Sequence, residues 1–566
     1  MRRHTRIIAA AAAVATTAAL ATTPASAAPK ESRAENISVK DSRELREALT
    51  VRGIKDHQRA LQRIANRNDD NRASGTSGYR ASVRYVARQL RKAGYKPVVQ
   101  PFPFLFFQEN SPAEFQQVSP TPTTYVVDSD FITMDFSGSG DVTGELVPAL
   151  NNVEPPGPTP SSSSAGCLAS DYAPAPAGSA VALVQRGTCT FGQKAMTAEA
   201  AGYDAVIIYN EGQPGRTDTL QGTLGAPVGI PVIGISYALG SELLNQDRAT
   251  PVTVRVRTDT ISEERTTTNV IGDTTTGRAD RTVVVGAHLD SVNAGPGIND
   301  NGSGSGTILE IAEQMSRLGI EPTNRVRFAF WGAEEAGLLG SEYYVANLSE
   351  AELDDIMLNL NFDMVSSPNY VRFVYDGDNS AFPVGPGAAP GPPGSAEIED
   401  VFTDYFDAKG LASAPTAFSG RSDYGPFIAA GVDIPAGGLF TGAEGIKTEE
   451  EAAIFGGLAG VAYDPCYHQA CDVYSDVKQK MSEGFDAELY AMLEDAYTDD
   501  RLVGNVNVRA LNEMSDAAAH ATYYFATTTM DVSEGSAARG FLKAKGKAKA
   551  KAYKAKAALY KGGLQR

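Results

Sequence analysis

The stretch RTVVVGAHLDSVNAGPGINDNGSGSGTILEIAEQMSRLGIEPTNRVRFAFWGAEE, residues 281–335, decides the fold. RTVVVGA (281–287) reads as a buried strand, Ser303–Leu318 as a helix and VRFAFW (Val326–Trp331) as a second strand. Strands alternating with helical patterns argue for a sheet with helices packed on it. The alternation continues downstream. Leu338–Leu348 reads as helix, Met357–Asp363 as strand, Ser395–Lys409 as helix and Ile434–Gly437 as a short strand. Met481–Leu493 and Val508–Tyr524 read as further helices. The expectation is a three-layer α/β/α sheet.

Upstream the pattern changes twice. Leu45, Leu49, Ile54, Leu61 and Ile64 have helical spacing between Ser42 and Ala65, with a break expected at Gly53. NRASGTSG (71–78) is a loop of turn residues, Tyr79–Ala93 an amphipathic helix ended by Gly94, and Lys96–Phe102 a strand. From Ser119 to Thr260, Pro, Thr, Ser and Gly are frequent. Short strand patterns recur there at Thr124–Val127, Val181–Val184, Val206–Tyr209 and Val252–Arg255, and Pro155–Ala165 reads as a linker or long loop. This segment has the character of a β-rich domain inserted into a larger one.

Composition narrows the function classes. The chain has 566 residues, 42% of them hydrophobic, which allows three or four domains with real cores. Its 68 acidic against 50 basic residues give a formal charge of −18, a poor basis for binding nucleic acid. Arg2, Arg3 and Arg6, the apolar run Ile7–Leu20 and Ala25-Ser26-Ala27 form the basic, apolar and small-residue parts of a secretory signal peptide, residues 1–27. The run is short for a membrane span, and no other is long enough to cross a bilayer. Secretion into the extracellular medium is therefore expected. Residues 28–40 read as a leader or short pro-segment. The tail 531–566 is basic, with eight Lys and no acid after Phe541. It reads as a solvated segment, with weak binding to an anionic surface as the functional option. Outside the cytoplasm an even number of cysteines reads as disulfides. Four cysteines allow three pairings, of which the local one, Cys167–Cys189 with Cys466–Cys471, is the simplest.

The chemistry gathers where predicted strands end. VVVGA runs into His288-Leu289-Asp290, VRFAFWGA into Glu334-Glu335, and LNLNF into Asp363. In open α/β sheets, ligands collect beyond the carboxyl ends of strands. GINDNGSGSG adds Asp300, with Gly302, Gly304 and Gly306 allowing close backbone approach. DPCYH brings a second histidine, His468. Each feature alone has an ordinary explanation: a core histidine, a phosphate-type loop, a charged helix start, a loop clip. Two histidines and three carboxylates at strand ends together match a two-metal site. GSGSG (302–306) offers serines, but it abuts a proposed ligand and does not follow a strand directly as a nucleophile elbow should.

These segments also resemble a known family. NRASGTSGYRASVRYVARQLRKAGY, GAHLDSVNAGPGINDNGSGSG, FAFWGAEEAGLLGSEYYV, LNLNFDMV, FSGRSDYGPF and DPCYHQACD are similar to those of secreted bacterial di-zinc aminopeptidases of family M28. VALVQRGTCTFGQKAMTAEAAGYDAVIIYNEG resembles a protease-associated (PA) domain. The resemblance spans about residues 40–525. It implies a peptidase domain in two parts, 41–118 and 261–530, around a PA-like insert, 119–260. It further implies two Zn²⁺ per chain, one held by His288 and Asp363, the other by Glu335 and His468, with Asp300 bridging and a water shared between them. Glu334 is then the general base, Asp290 the orienting partner of His288, and Tyr467 a donor to the developing oxyanion. The peptide bond Asp300–Asn301 is expected to be cis. Arg421 and Phe440 fall in segments that line the family's substrate pocket. The substrates implied are peptides or proteins with a free N-terminus, with hydrophobic first residues such as Leu preferred. A monomer is favoured, and no calcium site is assigned.

Three other readings share the scaffold. A glutamate-carboxypeptidase-like enzyme would carry a long helical C-terminal domain, where this chain has only a short Lys/Ala tail. A non-catalytic binding protein would have lost a ligand or the base, and here all are present. A single-zinc cyclase would differ in metal stoichiometry.

Overall fold

The strand Arg278–His288 lies inside a 14-stranded sheet, paired in parallel on one side with Asn324–Trp331 and on the other with Ile356–Phe362. The computed structural model describes residues 38–474, 486–497, 502–530 and 532. The expected signal peptide, all but the last three residues of the leader, the start of the helix expected from Met481, and the basic tail apart from Val532 lie outside them. No helix among the described residues is long and apolar enough to cross a membrane.

Beyond Ile356–Phe362 the sheet continues through Ala436–Phe440 in parallel and Phe373–Tyr375 antiparallel to that, and ends at Ala414–Thr416. On the other side Asn324–Trp331 pairs antiparallel with Thr253–Asp273. Both faces are covered. Val283, Val285 and Ala287 point into the larger core, shared with helices Val51–Ala65, Ser77–Lys92, Gly302–Arg317, Ser395–Lys409 and Val508–Thr527. Val284 points the other way, into a cluster with Trp331, Tyr344 and Phe427. A strand buried on both sides must be apolar at every position, which is why RTVVVGA does not alternate. The layered α/β architecture expected from 281–335 is present.

The first helical segment does not break at Gly53. It consists of Arg43–Ala48 and Val51–Ala65, with the break at Leu49–Thr50. The Thr50 side chain accepts from the Gly53 amide as an N-cap, so the new helix starts there. Gly53 sits inside that helix because a Cβ would come within 2.2 Å of the Glu310 carboxylate.

The strand expected at Lys96–Phe102 runs from Val98 to Ser119. Pro101 and Pro103 look like terminators, but here they lie on a stretch of strand paired with Thr253–Asp273 alone, Thr123–Thr124 joining only farther along at Gln116 and Gln117. A proline on an edge leaves no hydrogen bond unmade. These two long strands form a continuous ribbon. Past Ser262 it carries the insert's strands: Gly140–Pro148, Ala180–Gln185, Ala205–Tyr209, Val232–Ile235 and Phe131–Thr133. Two further cores fill the insert, one on each face of those strands. Of the expected Thr124–Val127 strand only Thr123–Thr124 pairs, with Val127 in a single bridge. Both local disulfides are formed, Cys167–Cys189 and Cys466–Cys471.

Candidate active site

Five chain segments deliver the site, three of them where a strand ends, one where a helix begins and one in a disulfide-clipped loop. His288 is the last residue of its strand, Glu334 and Glu335 follow the strand ending at Trp331, and Asp363 follows the strand ending at Phe362. Asp300 precedes the helix Gly302–Arg317, across a cis Asp300–Asn301 peptide bond. Asn301 caps that helix by accepting from Gly304 N at 2.8 Å, while its amide donates to Phe362 O at 2.9 Å. The helix start is thus tied to the strand end that carries Asp363. Gly304 is required there, since a Cβ would stand 2.2 Å from Phe362 O. His468, at φ +57, lies in the loop clipped by Cys466–Cys471.

The side chains converge. His288 Nε2 lies 3.1 Å from Asp300 Oδ1 and 3.3 Å from Asp363 Oδ1. His468 Nε2 lies 3.4 Å from Asp300 Oδ2 and 3.0 Å from Glu335 Oε2. The two oxygens of Asp300 therefore face two separate triads, each with its donor atoms within 4.8 Å of one another. Around a tetrahedral zinc, bonds of about 2.0–2.1 Å put neighbouring donor atoms roughly 3.3 Å apart. The donor set and its spacing fit two such ions.

The electrostatics have the same sense. Four carboxylates, those of Asp300, Glu334, Glu335 and Asp363, stand against two imidazoles in a largely buried cluster. Burial disfavours charge on His288, yet Asp363, Glu334, Asp290 and Asp300 hold its pKa well above the usual histidine value. Burial likewise opposes charge on His468, and Glu335 and Asp300 overcome it, raising His468 to about 11. Burial, reinforced by Asp423, Asp363 and Glu335, pushes Glu334 well above the ordinary carboxylate range despite His288. Such a concentration of negative charge calls for cations.

A cavity of about 330 Å³ opens onto this cluster, and the expected residues Arg421, Phe440 and Tyr467 all line it. Arg421 donates to Glu444 at 2.6 Å and to the Tyr467 hydroxyl at 3.3 Å. The Tyr467 ring stacks on His468, centroids 3.8 Å apart. Phe440 stacks on Phe373 and, with Met364 and Tyr375, gives the cavity an apolar side. Asp290 comes to 3.6 Å of His288 Nδ1, adjacent but beyond hydrogen-bond reach, and accepts from Glu334 N at 3.3 Å. Ser303 and Ser305 are buried and donate to the carbonyls of Asn299 and His288, so neither hydroxyl is placed as a nucleophile.

Several residues behind the site had no role in the sequence reading. The Arg72 guanidinium donates to the carbonyls of Leu289, Pro296 and Gly297, clamping the loop between His288 and Asp300. Asp472 accepts from the amides of Asn299 at 2.8 Å and Asp300 at 2.9 Å. Asp464 accepts from Asn299 Nδ2 at 2.6 Å, and Asn505 donates to both aspartates. Asp423 is fully buried, and burial first of all pushes it up to about 8. All but Asn505 lie in or beside the quoted segments. Their signal was a buried polar residue type, which sequence alone does not reveal.

Comparison with known proteins places the chain by family. Residues 269–491 match the model of peptidase family M28, and residues 142–243 that of the PA domain. The chain is 46% identical over 429 residues to an aminopeptidase of Pseudomonas aeruginosa, covering 75% of this chain and 76% of that one. It is 41% identical over 413 residues to a probable leucine aminopeptidase 2 of Aspergillus fumigatus, covering 72% and 76%. Among solved structures, an aminopeptidase from Aneurinibacillus sp. strain AM-1 superposes with a TM-score of 0.60 at 23% identity, covering 87% of this chain and 97% of that one. A zinc aminopeptidase from Bacillus subtilis does so at 0.55 and 23%, covering 86% and 97%. These two share the fold. The 46% identity over three-quarters of both chains, with a family model over residues 269–491 that contains every residue of the cluster, places this chain in peptidase family M28, with a PA domain inserted at residues 142–243.

Proposed function

We propose that the protein is a secreted zinc aminopeptidase that removes the N-terminal residue of peptides, hydrophobic residues such as Leu preferentially. The observation that carries this reading is the Asp300 carboxylate between His288 and Asp363 on one side and Glu335 and His468 on the other. His288 and Asp363 would hold one zinc, Glu335 and His468 the second, with Asp300 between them. Zinc in such a pair polarises a carbonyl and makes water a nucleophile at neutral pH.

The chain's own groups supply the rest. Glu334, whose burial raises its affinity for a proton, takes the proton of the attacking water and passes it to the leaving amine. The Tyr467 hydroxyl accepts from Arg421, which leaves its own proton free to donate to the developing oxyanion. The carboxylates lining the cavity favour a free α-ammonium, and the apolar side formed by Phe373, Tyr375 and Phe440 suits an aliphatic first residue. Two disulfides accord with an oxidising compartment.

The test pairs metal content with hydrolysis of Leu-p-nitroanilide. Two zincs per chain, activity lost on chelation and restored by zinc, and resistance of N-acetyl-Leu-p-nitroanilide are expected. One zinc, or activity indifferent to chelation, overturns the two-metal reading. Cleavage of the blocked substrate overturns the aminopeptidase reading.

A further inference from the structure

The cavity over the ligand cluster has a neighbour, and Glu335 lines both. The second cavity, of about 260 Å³, takes much of its wall from three places. Phe106 and Phe107 come from the long strand Val98–Ser119, Phe136 from the insert, and Val292 and Asn293 from the loop that follows His288. The rings of Phe107 and Phe136 lie 5.8 Å apart, and Asn293 Nδ2 donates to Phe107 O at 3.0 Å. Insert, ribbon and catalytic loop are therefore joined around this space. Its charged lining residues are Asp135, Asp290 and Glu335, with no Lys, Arg or His among the lining residues.

An enzyme that removes one terminal residue needs two different surfaces on either side of the reacting bond. The terminal residue needs a pocket with acids for its amine. The first cavity offers that, together with an apolar wall. The rest of the peptide must leave along a path that starts at the same metal-binding groups, and the second cavity begins at Glu335. Ligand clefts usually measure roughly 300–1,000 Å³, so a space slightly below that range suits one side chain rather than a folded partner.

We propose that this second cavity is the subsite for the residue on the carboxyl side of the cleaved bond, selecting aromatic and other apolar side chains and rejecting acidic ones. The insert then supplies a wall of the specificity site through Phe136. The proposal rests on the aminopeptidase reading and extends it to the second substrate residue. Aromatic walls favour an apolar occupant by burial, and three carboxylates with no basic lining residue disfavour an anionic one.

The experiment measures kcat/KM of the zinc-loaded enzyme on Leu-amide, Leu-Ala-amide, Leu-Phe-amide and Leu-Asp-amide. Leu-Phe-amide should exceed Leu-Ala-amide by about tenfold, the scale on which pockets distinguish apolar groups, and Leu-Asp-amide should fall below both. Phe107→Leu and Phe136→Leu should lower the Phe-to-Ala ratio. Val292→Lys should raise the Asp-to-Ala ratio, a gain that misfolding cannot produce. Equal rates on the three dipeptide amides, or an Asp-to-Ala ratio unmoved by Val292→Lys, overturn the proposal while Leu-amide cleavage leaves the aminopeptidase reading standing. A shift in the preference between Leu-amide and Ala-amide in these variants also overturns it, by assigning the cavity to the terminal residue. Failure of the wild-type enzyme to hydrolyse Leu-amide removes the aminopeptidase reading and the proposal with it.

Discussion

Glu334 and Glu335 are adjacent in sequence yet face different tasks. Glu335 Oε2 meets His468 at 3.0 Å, whereas Glu334 lines the cavity without joining either triad of donor atoms. Trp331 ends the strand and Ala333 lies at φ +54, so both carboxylates sit on a turn that lets one meet His468 and leaves the other facing the cavity. Glu334→Gln keeps the shape and removes the proposed base. It should lower kcat by about 10²–10⁴-fold with zinc content unchanged, as read by steady-state kinetics and metal analysis. Tyr467→Phe keeps the ring stacked on His468 and removes only the hydroxyl. It should cost about 10²–10³-fold in kcat, again without loss of zinc. A variant that lost metal instead would show that the hydroxyl acts through the ligands.

At the scale of elements, the loop closed by Cys466–Cys471 does more than carry His468. It brackets the site with Asp464 and Asp472, which accept from the side chain and backbone of the Asn299–Asp300 turn. The Asn299–Asp300 backbone is thus held by a segment about 170 residues downstream. Asp472→Asn turns an amide nitrogen toward backbone N–H donors and should weaken zinc binding about 10–100-fold, measured by competition with a chelator. The long C-terminal helix Val508–Thr527 packs over the core, and its His520 meets Ser42 Oγ at 2.9 Å and stacks on Tyr405. Burial first, and Arg46 second, push His520 down to about 4. A histidine with a lowered folded pKa binds its proton in the unfolded state first. Stability should therefore be present above pH 6.5 and be lost as pH falls toward 4. The loss attributable to this residue is up to about 3 kcal/mol, given 1.36 kcal/mol per pKa unit. Thermal unfolding across that range should be less acid-sensitive in His520→Gln than in the parent protein. Equal slopes would remove His520 from the account.

For the whole molecule, the ribbon Val98–Ser119 with Thr253–Asp273 is the structural fact with the widest reach. It joins the peptidase strands at one end and the insert's strands at the other into one continuous sheet. The carboxylates and histidines at the sheet edge tie metal occupancy to the stability of the same structure. Removing zinc leaves negative charges crowded in a low-dielectric site, and binding it stabilises the folded state by mass action, about 4 kcal/mol at a thousandfold excess over Kd. Chelation should lower the thermal midpoint as well as the activity, and added zinc should restore both. A midpoint indifferent to chelation would show that the ligand cluster is stable without cations.

The sequence by itself determined the strand–helix alternation from 281 onward, because doubly buried strands are written as unbroken apolar runs. It also determined the ligand types, because metal chemistry demands His, Asp and Glu and strand ends expose them. Only the tertiary structure decided where the first helix breaks, since Gly53 makes room for Glu310, a residue more than 250 positions away. It alone decided that the prolines of QPFPF continue a strand, since they sit on its unpaired edge. Arg72, Asp472 and Asn505 likewise act through partners distant in the chain, and burial, which gives a polar side chain its role, is a property of three-dimensional packing rather than of local sequence.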